Sequence, residues 1–222
     1  STRKIDDGSV VHDGGAPLDG GLCRNNKPTR CTAVIQTAQT PDSAITQRAL
    51  RYCQSRKHVT RDSTILLFSI YTGLRAKELA ALRIGDVYDA EGEPRTQFTL
   101  AAEQTKGART RSVFVNKQLR AQLVLYAQWR RMSDAAQPLF RSQKGGHFSA
   151  NTMCQLFLNI YKACGLSDAS SHSGRRTFIT RLANKGVGVR VLAALAGHSS
   201  ISTTQRYIDV NDTQLANAVE LL

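Results

Sequence analysis

The run Ile65-Leu-Leu-Phe-Ser-Ile-Tyr71 constrains this chain more than any other stretch, because it is apolar nearly all round. A helix without a polar face has to be enclosed by its neighbours. The sequence therefore predicts a buried helix that opens at Asp62, whose carboxylate can cap it, and ends at Gly73. With 222 residues, 41% of them hydrophobic, the chain can bury one main core and a small appendage but is short for two full domains.

Helical periodicity recurs on both sides of that run. Pro41-Asp42-Ser43 marks a start, and in the basic helix Ala44 to Arg56 the residues Ile45, Ala49 and Cys53 share a face. A short helix spans Ala76 to Leu82. The period then changes: Asp86–Tyr88, Gln97–Ala101 and Arg111–Val115 alternate or collect β-branched and aromatic residues around Glu91-Gly92 and Lys106-Gly107 turns. That pattern predicts a small three-stranded antiparallel sheet. Asn116 can cap a helix carrying Leu119, Leu123 and Ala127 to about Met132, and Ser149 opens another that closes at Gly165. Further helices are expected from Ser173 to Gly186, Val189 to Ala196 and Ser202 to Tyr207. Asp212 can cap a tail helix, 212–222, with Leu215, Val219 and Leu222 on one face. Residues 1–43 hold many Gly and Pro with little periodicity and read as an extended or disordered arm. The expected fold is α+β, mainly α-helical, with one folded domain over 44–222.

The 30 Lys+Arg against 17 Asp+Glu give a formal charge of +13, which calls for a polyanionic partner. Nucleic acid leads, and an anionic membrane surface comes second. No apolar run approaches the roughly 20 residues needed to span a bilayer, and no secretory signal opens the chain, so a soluble cytoplasmic protein is expected. Five cysteines without C-x-x-C spacing indicate reduced thiols, with neither a disulfide framework nor a zinc site.

The chemistry concentrates in a few short motifs. His172-Ser-Gly-Arg175, Gly197-His198 and Arg206-Tyr207 place two imidazoles, a guanidinium and a phenol close in sequence, and Thr72-Gly-Leu-Arg75 and Thr105-Lys106-Gly107 add a second guanidinium and an ammonium. Guanidinium groups meet phosphate oxygens through paired, charge-assisted hydrogen bonds, so Arg75 and Arg175 could clamp one phosphate. Lys106, at a hairpin tip, could protonate a leaving 5′ oxygen. Tyr207 is a candidate nucleophile, since an imidazole and cations nearby help a phenol shed its proton. His198 could donate to a non-bridging oxygen, while His172 could take the phenolic proton or act as a second donor. His12, His58 and His147 read as incidental. Arg109, Arg111 and Lys144 fall in loops suited to contacts with a nucleic-acid backbone.

Taken in order, Thr72-Gly-Leu-Arg75-Ala-Lys-Glu78-Leu, Glu103-Gln-Thr-Lys106-Gly, His172-Ser-Gly-Arg175-Arg-Thr-Phe and Leu195-Ala-Gly-His198-Ser-Ser-Ile-Ser-Thr-Thr-Gln-Arg-Tyr207 resemble the successive motifs of the tyrosine recombinase (phage integrase) family. The resemblance covers most of the chain from about residue 44. It implies the catalytic-domain fold of that family, and an enzyme that cleaves and rejoins double-stranded DNA through a 3′-phosphotyrosyl link. Arg75, Lys106, His172, Arg175 and His198 would surround the scissile phosphate, Tyr207 would attack it, and no metal or other cofactor would be required. Glu78 matches an acidic position that braces the active-site groups in the family. The chain departs from the pattern at Gly174, usually Leu, and at Ala196, often Leu. Since glycine costs up to about 1 kcal/mol in a helix relative to alanine, the orientation of Arg175 is expected to rest on packing by Phe178.

Many members carry a helical DNA-clamping domain ahead of the catalytic one, which residues 1–43 are too short to form. The chain is then either a catalytic-domain fragment or a compact single-domain member. The resemblance further implies a homotetramer on paired DNA sites, weakly associated or monomeric without DNA, with the tail after Tyr207 docking on its own core or on a neighbouring subunit. Two alternatives stand beside this: a non-catalytic DNA-binding module on the same scaffold, and a relaxing topoisomerase of the related type IB chemistry.

Overall fold

The computed structural model describes residues 41–105, 109–131, 134–166, 169–208, 215–216 and 219–220. The proposed arm (1–43) lies almost wholly outside this range, as do Lys106, Asp212 and Leu222.

The apolar run forms α2 (Val59–Thr72), buried along its length from Arg61 to Ile70. It is enclosed by α1 (Pro41–Gln54), α3 (Ala76–Ala81), α5 (Lys117–Arg130) and α7 (Ser173–Ala183). Helix α2 begins a turn earlier than expected, and Asp62 is no cap. Its buried carboxylate lies 2.6 Å from Arg56 and 2.8 Å from Arg61, an ion-paired interior position where an unpaired charge would be costly.

The sheet has two strands among the described residues, β1 (Gln97–Leu100) and β2 (Arg111–Phe114), paired antiparallel with Phe98 opposite Val113 and Leu100 opposite Arg111. The segment expected as a first strand, 86–88, instead falls largely within the helical turn α4 (Ile84–Val87), leaving Tyr88 with an isolated bridge to Pro94. Asp86 decides this. Its carboxylate accepts the Arg83 backbone N–H at 2.8 Å, a return contact that caps a helical turn and outweighs the β preference of Val87 and Tyr88.

The remaining helices follow the sequence closely. Asn116 caps α5 through Leu119 N (2.8 Å), and Ser149 caps α6 (Ala150–Ala163) through Thr152 N (3.0 Å). Helix α8 (Val189–Ala196) ends at Gly197, and α9 (Ile201–Gln205) starts after Ser200, whose hydroxyl bonds that of Ser202. Of the tail, Leu215 and Val219 are exposed. No helix among the described residues is long and apolar enough to cross a membrane.

Two apolar clusters result. The larger joins α1 to α6 and the hairpin around Phe68, Leu79, Tyr126 and Phe157. The smaller gathers Ile179, Ala183, Leu192 and Ala196, with Phe178, Tyr207 and Ile208 packed against it. The candidate residues lie where these clusters meet.

Candidate active site

Helices α2 and α8 end in the same manner, at Gly73 and Gly197, each with φ +63° in the left-handed region that glycine adopts without strain. Each helix end turns carbonyl oxygens, the negative end of its dipole, toward the same point. Arg175, in the first turn of α7, occupies it: Nη1 donates to Gly73 O at 2.7 Å and Nη2 donates to Ala196 O. The residue is only 3% exposed. Burial first, then the neighbouring cations Arg75 and Arg111, lower its pKa to about 9, which leaves the guanidinium charged at neutral pH. One buried cation thus ties the larger body to the α7–α9 unit.

The missing side chain at position 174 explains how α7 comes so close. A Cβ at Gly174 would lie 2.2 Å from Ser69 Oγ and 2.9 Å from Ser69 Cβ, so only glycine lets α7 seat against α2 at this point. Ser69 Oγ is buried with no hydrogen-bond partner among the described residues, consistent with a contact made for shape. Phe178 does support the helix as the sequence suggested. It packs over Gly73, where a Cβ would stand 2.6 Å from its ring.

Arg75 enters from the other side as the residue preceding α3. Glu78, fully buried, reaches back to it twice: Oε2 accepts the Arg75 backbone N–H at 2.8 Å, and Oε1 accepts Nη1 at 2.8 Å. The same carboxylate therefore caps a helix and aims a guanidinium. Arg111 also reaches Glu78 Oε2, at 3.4 Å, and donates to Thr72 O at 3.2 Å.

His198 follows the left-handed Gly197. Its Nδ1 lies 2.8 Å from the hydroxyl of the buried Thr204, and its ring stacks on Tyr207 with centroids 6.3 Å apart and planes at 17°. Burial and then the positive charges of Arg175, Arg75 and Arg111 press the His198 pKa down to about 4. The imidazole is neutral at neutral pH, with Nδ1 engaged and Nε2 left for another partner. Tyr207 is half-buried against the smaller cluster.

Arg75, Glu78, Arg109, Arg111, His198 and Thr203 are among the residues around one open cavity of about 820 Å³. Arg175 lies behind this wall and Tyr207 beside it, stacked on His198. Thr105 and Arg109, the described residues flanking Lys106, both line the cavity, and the Thr105 hydroxyl bonds Arg109 O at 2.8 Å. Lys106 itself is outside the described residues. His172 sits exposed at the start of α7 and is not part of the wall. Lys144 is exposed in the Ser142–Gly146 turn, apart from the cavity lining.

Arg111 departs from its expected place in a DNA-facing loop. It is the first residue of β2, opposite Leu100, and its side chain is 8% exposed. The signal was in the strand alternation: Val113 and Val115 are buried, which puts Arg111 on the same inward face. Thr204 was also missed. Its place in the polar run Ser202-Thr-Thr-Gln gave no hint that one hydroxyl would be fully buried against His198.

An arrangement with three guanidinium groups, one carboxylate and a neutral imidazole around an open cavity carries excess positive charge and suits an anion such as a phosphodiester. Comparison with known proteins agrees in fold. The chain is 30% identical over 167 residues to the tyrosine recombinase XerA of Pyrococcus furiosus, spanning 74% of this chain and 55% of that protein. The crystal structure of XerA recombinase superposes with a TM-score of 0.64 at 25% identity, over 83% of this chain and 65% of that one. The Tn1549 transposon integrase in complex with transposon right end DNA shares the fold, with a TM-score of 0.63 at 21% identity over 84% of this chain and 66% of that one. The chain spans a little over half the length of the archaeal XerA proteins it matches. The phage integrase family model matches residues 42–214, a stretch that contains every motif gathered at this cavity, and the chain belongs to that family.

Proposed function

We propose that this chain is the catalytic domain of a site-specific DNA recombinase, with residues 44–222 as the folded unit and 1–43 as an arm. The observation that carries the reading is that Arg75 and His198 line one cavity, with Arg175 buried behind its wall and Tyr207 stacked on His198. In the first step the Tyr207 hydroxyl oxygen attacks the scissile phosphorus, the bond to the 5′ oxygen breaks, and a 3′-phosphotyrosyl bond forms. His172 takes the phenolic proton, or serves as a second donor while solvent water takes that proton, and Lys106 gives a proton to the departing 5′ oxygen. Arg75 and Arg175 hold the non-bridging oxygens, where charge accumulates. Each terminal nitrogen of Arg175 keeps a second N–H beyond the one given to a carbonyl. With Thr204 donating to Nδ1, His198 carries its proton on Nε2 and offers it to the phosphate. Attack by a 5′ hydroxyl of another strand on the phosphotyrosyl bond reverses the chemistry. The bond energy is conserved throughout, so the protein cations supply the charge stabilisation and no cofactor is called for.

Double-stranded DNA is the substrate in this reading, supported by the +13 charge and by the shared fold of an integrase solved with transposon DNA. In this reading Arg109 and Lys144, both exposed, contact the DNA backbone. The protein works in the cytoplasm as a homotetramer on paired sites, coupled through the tail, whose Leu215 and Val219 stand exposed.

The test is incubation with a nicked suicide DNA carrying a site selected from random sequence, in the presence of a chelator. Wild type should form a covalent adduct with DNA and Tyr207→Phe should form none, while Arg75→Ala slows adduct formation by on the order of a hundredfold. An adduct in Tyr207→Phe, or a requirement for Mg²⁺, overturns the mechanism. Relaxation of any supercoiled DNA without site preference would favour the topoisomerase alternative.

A further inference from the structure

Arg111 is a buried cation that the proposed chemistry does not use. Its guanidinium spans three elements: Nη1 reaches Glu78 Oε2 on α3, Nη2 donates to Thr72 O at the end of α2, and its own backbone belongs to β2. Its stem lies against a fourth. A Cβ at Gly197 would fall 2.6 Å from Arg111 Cδ and 3.2 Å from both Nε and Nη1, so the turn that presents His198 is shaped around this side chain. Nε is buried without a hydrogen-bond partner among the described residues, so a net desolvation cost is borne for this placement. A residue needed only to cover the core would be apolar here, as its strand neighbours Val113 and Val115 are.

We infer that Arg111 is a positioning residue for the phosphate clamp: by holding Glu78 and the end of α2 against the Gly197–His198 turn, it fixes the spacing between Arg75 and His198. This rests on the reading of the cavity as a transesterification site. Glu78 Oε2 is shared between the Arg75 backbone and Arg111, while Oε1 serves the Arg75 guanidinium. Without Arg111 the carboxylate loses the partner that fixes it from behind, and Arg75 loses its aim. Lysine would keep the charge but not the fork that reaches both Glu78 and Thr72.

Single-turnover cleavage of the nicked substrate at saturating DNA is compared in Arg111→Met, Arg111→Lys, Glu78→Gln and Arg111→Met/Glu78→Gln, with DNA affinity measured alongside. Arg111→Met should slow cleavage at saturating DNA by on the order of a hundredfold, a loss well beyond any it causes in DNA affinity, since a remote misplacement by an ångström costs about that much. Arg111→Lys should recover part of the rate. In the Glu78→Gln background, Arg111→Met should cost less than about threefold, because the effect travels through Glu78. A wild-type rate in Arg111→Met overturns the inference, and so does a full additional loss in the Glu78→Gln background, which would mean direct contact with substrate. The DNA-free protein gives an independent readout by NMR titration of His198. Its pKa of about 4 should move up toward the ordinary imidazole value in both Arg111→Met and, less, Arg111→Lys. An unmoved titration in Arg111→Lys shows that the His198 turn is not held by the fork and overturns the inference even if wild type makes no adduct. Absence of the wild-type adduct with a shifted titration sinks only the transesterification reading.

Discussion

The two halves of the cavity rest on unequal foundations. Arg75, Glu78 and Arg111 stand on the larger cluster, where α2 is enclosed by four helices and aromatic rings such as Phe68 and Phe140 meet edge to face at 6.0 Å. His198 and Tyr207 stand on α8, α9 and the segment that follows, around a small cluster of Ile179, Ala183, Leu192 and Ala196. Local stability follows the apolar surface buried, so the half bearing the proposed nucleophile is the softer one. What keeps it in register is the seam: Arg175 between two helix ends, Phe178 on Gly73, and Gly174 on Ser69. The proposed phosphate clamp thus stands on the well-packed half, and the proposed nucleophile on a half held by a few contacts.

Truncating one leucine in each cluster probes this asymmetry most strongly. Leu66 and Leu192 are both fully buried. Leu66→Ala should cost about 4 kcal/mol, near the top of the range for buried leucines, because its tightly packed surroundings cannot collapse into the space. Leu192→Ala should cost about 2 kcal/mol, since the small cluster relaxes around it. Chemical denaturation measures both. Hydrogen exchange should show Leu192→Ala loosening α7 to α9 while α2 keeps its protection. Equal costs, or a loss of protection spread over the whole chain, would mean that the two clusters unfold as one and that the comparison is wrong.

The seam is tested next by Gly174→Ala. Helix propensity alone would make this change stabilising by up to about 1 kcal/mol. The clash with the buried Ser69 runs the other way, and its overlap reaches Ser69 Cβ as well as the hydroxyl. Overpacking at such a contact costs about 1 to 3 kcal/mol, so a net loss of about 1.5 kcal/mol is expected. Ser69→Gly in the same chain should return most of it. A stable Gly174→Ala, or one that Ser69→Gly makes no better, would show that α7 is not seated through this pair.

Much of this was legible beforehand, for reasons that differ by residue. Helix caps such as Asn116 and Ser149 and the two left-handed glycines, Gly73 and Gly197, announce themselves because their conformational demands are local. Arg75, Arg175, His198 and Tyr207 were singled out because their types and spacing form a recognisable motif set, and all four are held by hydrogen bonds or ring contact at or beside the cavity: Arg75 by Glu78, Arg175 by Gly73 O, and His198 against Tyr207. Asp62, Asp86 and Arg111 were misplaced although part of the signal was local, in the Arg83 N–H that Asp86 caps and in the strand alternation that turns Arg111 inward; only the rest of their surroundings comes from distant sequence. Asp62 meets Arg61 locally but is enclosed only once α2 is packed, and Asp86 is fixed in part by Gln104 Nε2 at 2.8 Å. Gly174 looked like a weak point in a helix, and only the approach of α2 turns it into a requirement.

The smallest expected effect concerns pH and bears on the softer half. His198 is held well below the ordinary imidazole value, to about 4, so the folded chain resists a proton that the unfolded chain accepts from about pH 6.5 downward. More protons on the unfolded state mean that stability rises with pH in this window. It is complete above about 6.5 and is lost as pH falls toward 4. His58, also lowered, chiefly by burial and then by Arg61, contributes in the same direction, so wild type must be set against His198→Asn. His198 remains partly open to solvent, which keeps the effect small. From pH 7 to pH 5 wild type should lose roughly 2 °C more in Tm than His198→Asn does. Equal losses would mean that the charges of Arg75, Arg111 and Arg175 do not reach the imidazole, and that the two halves of the cavity are electrostatically independent despite sharing a wall.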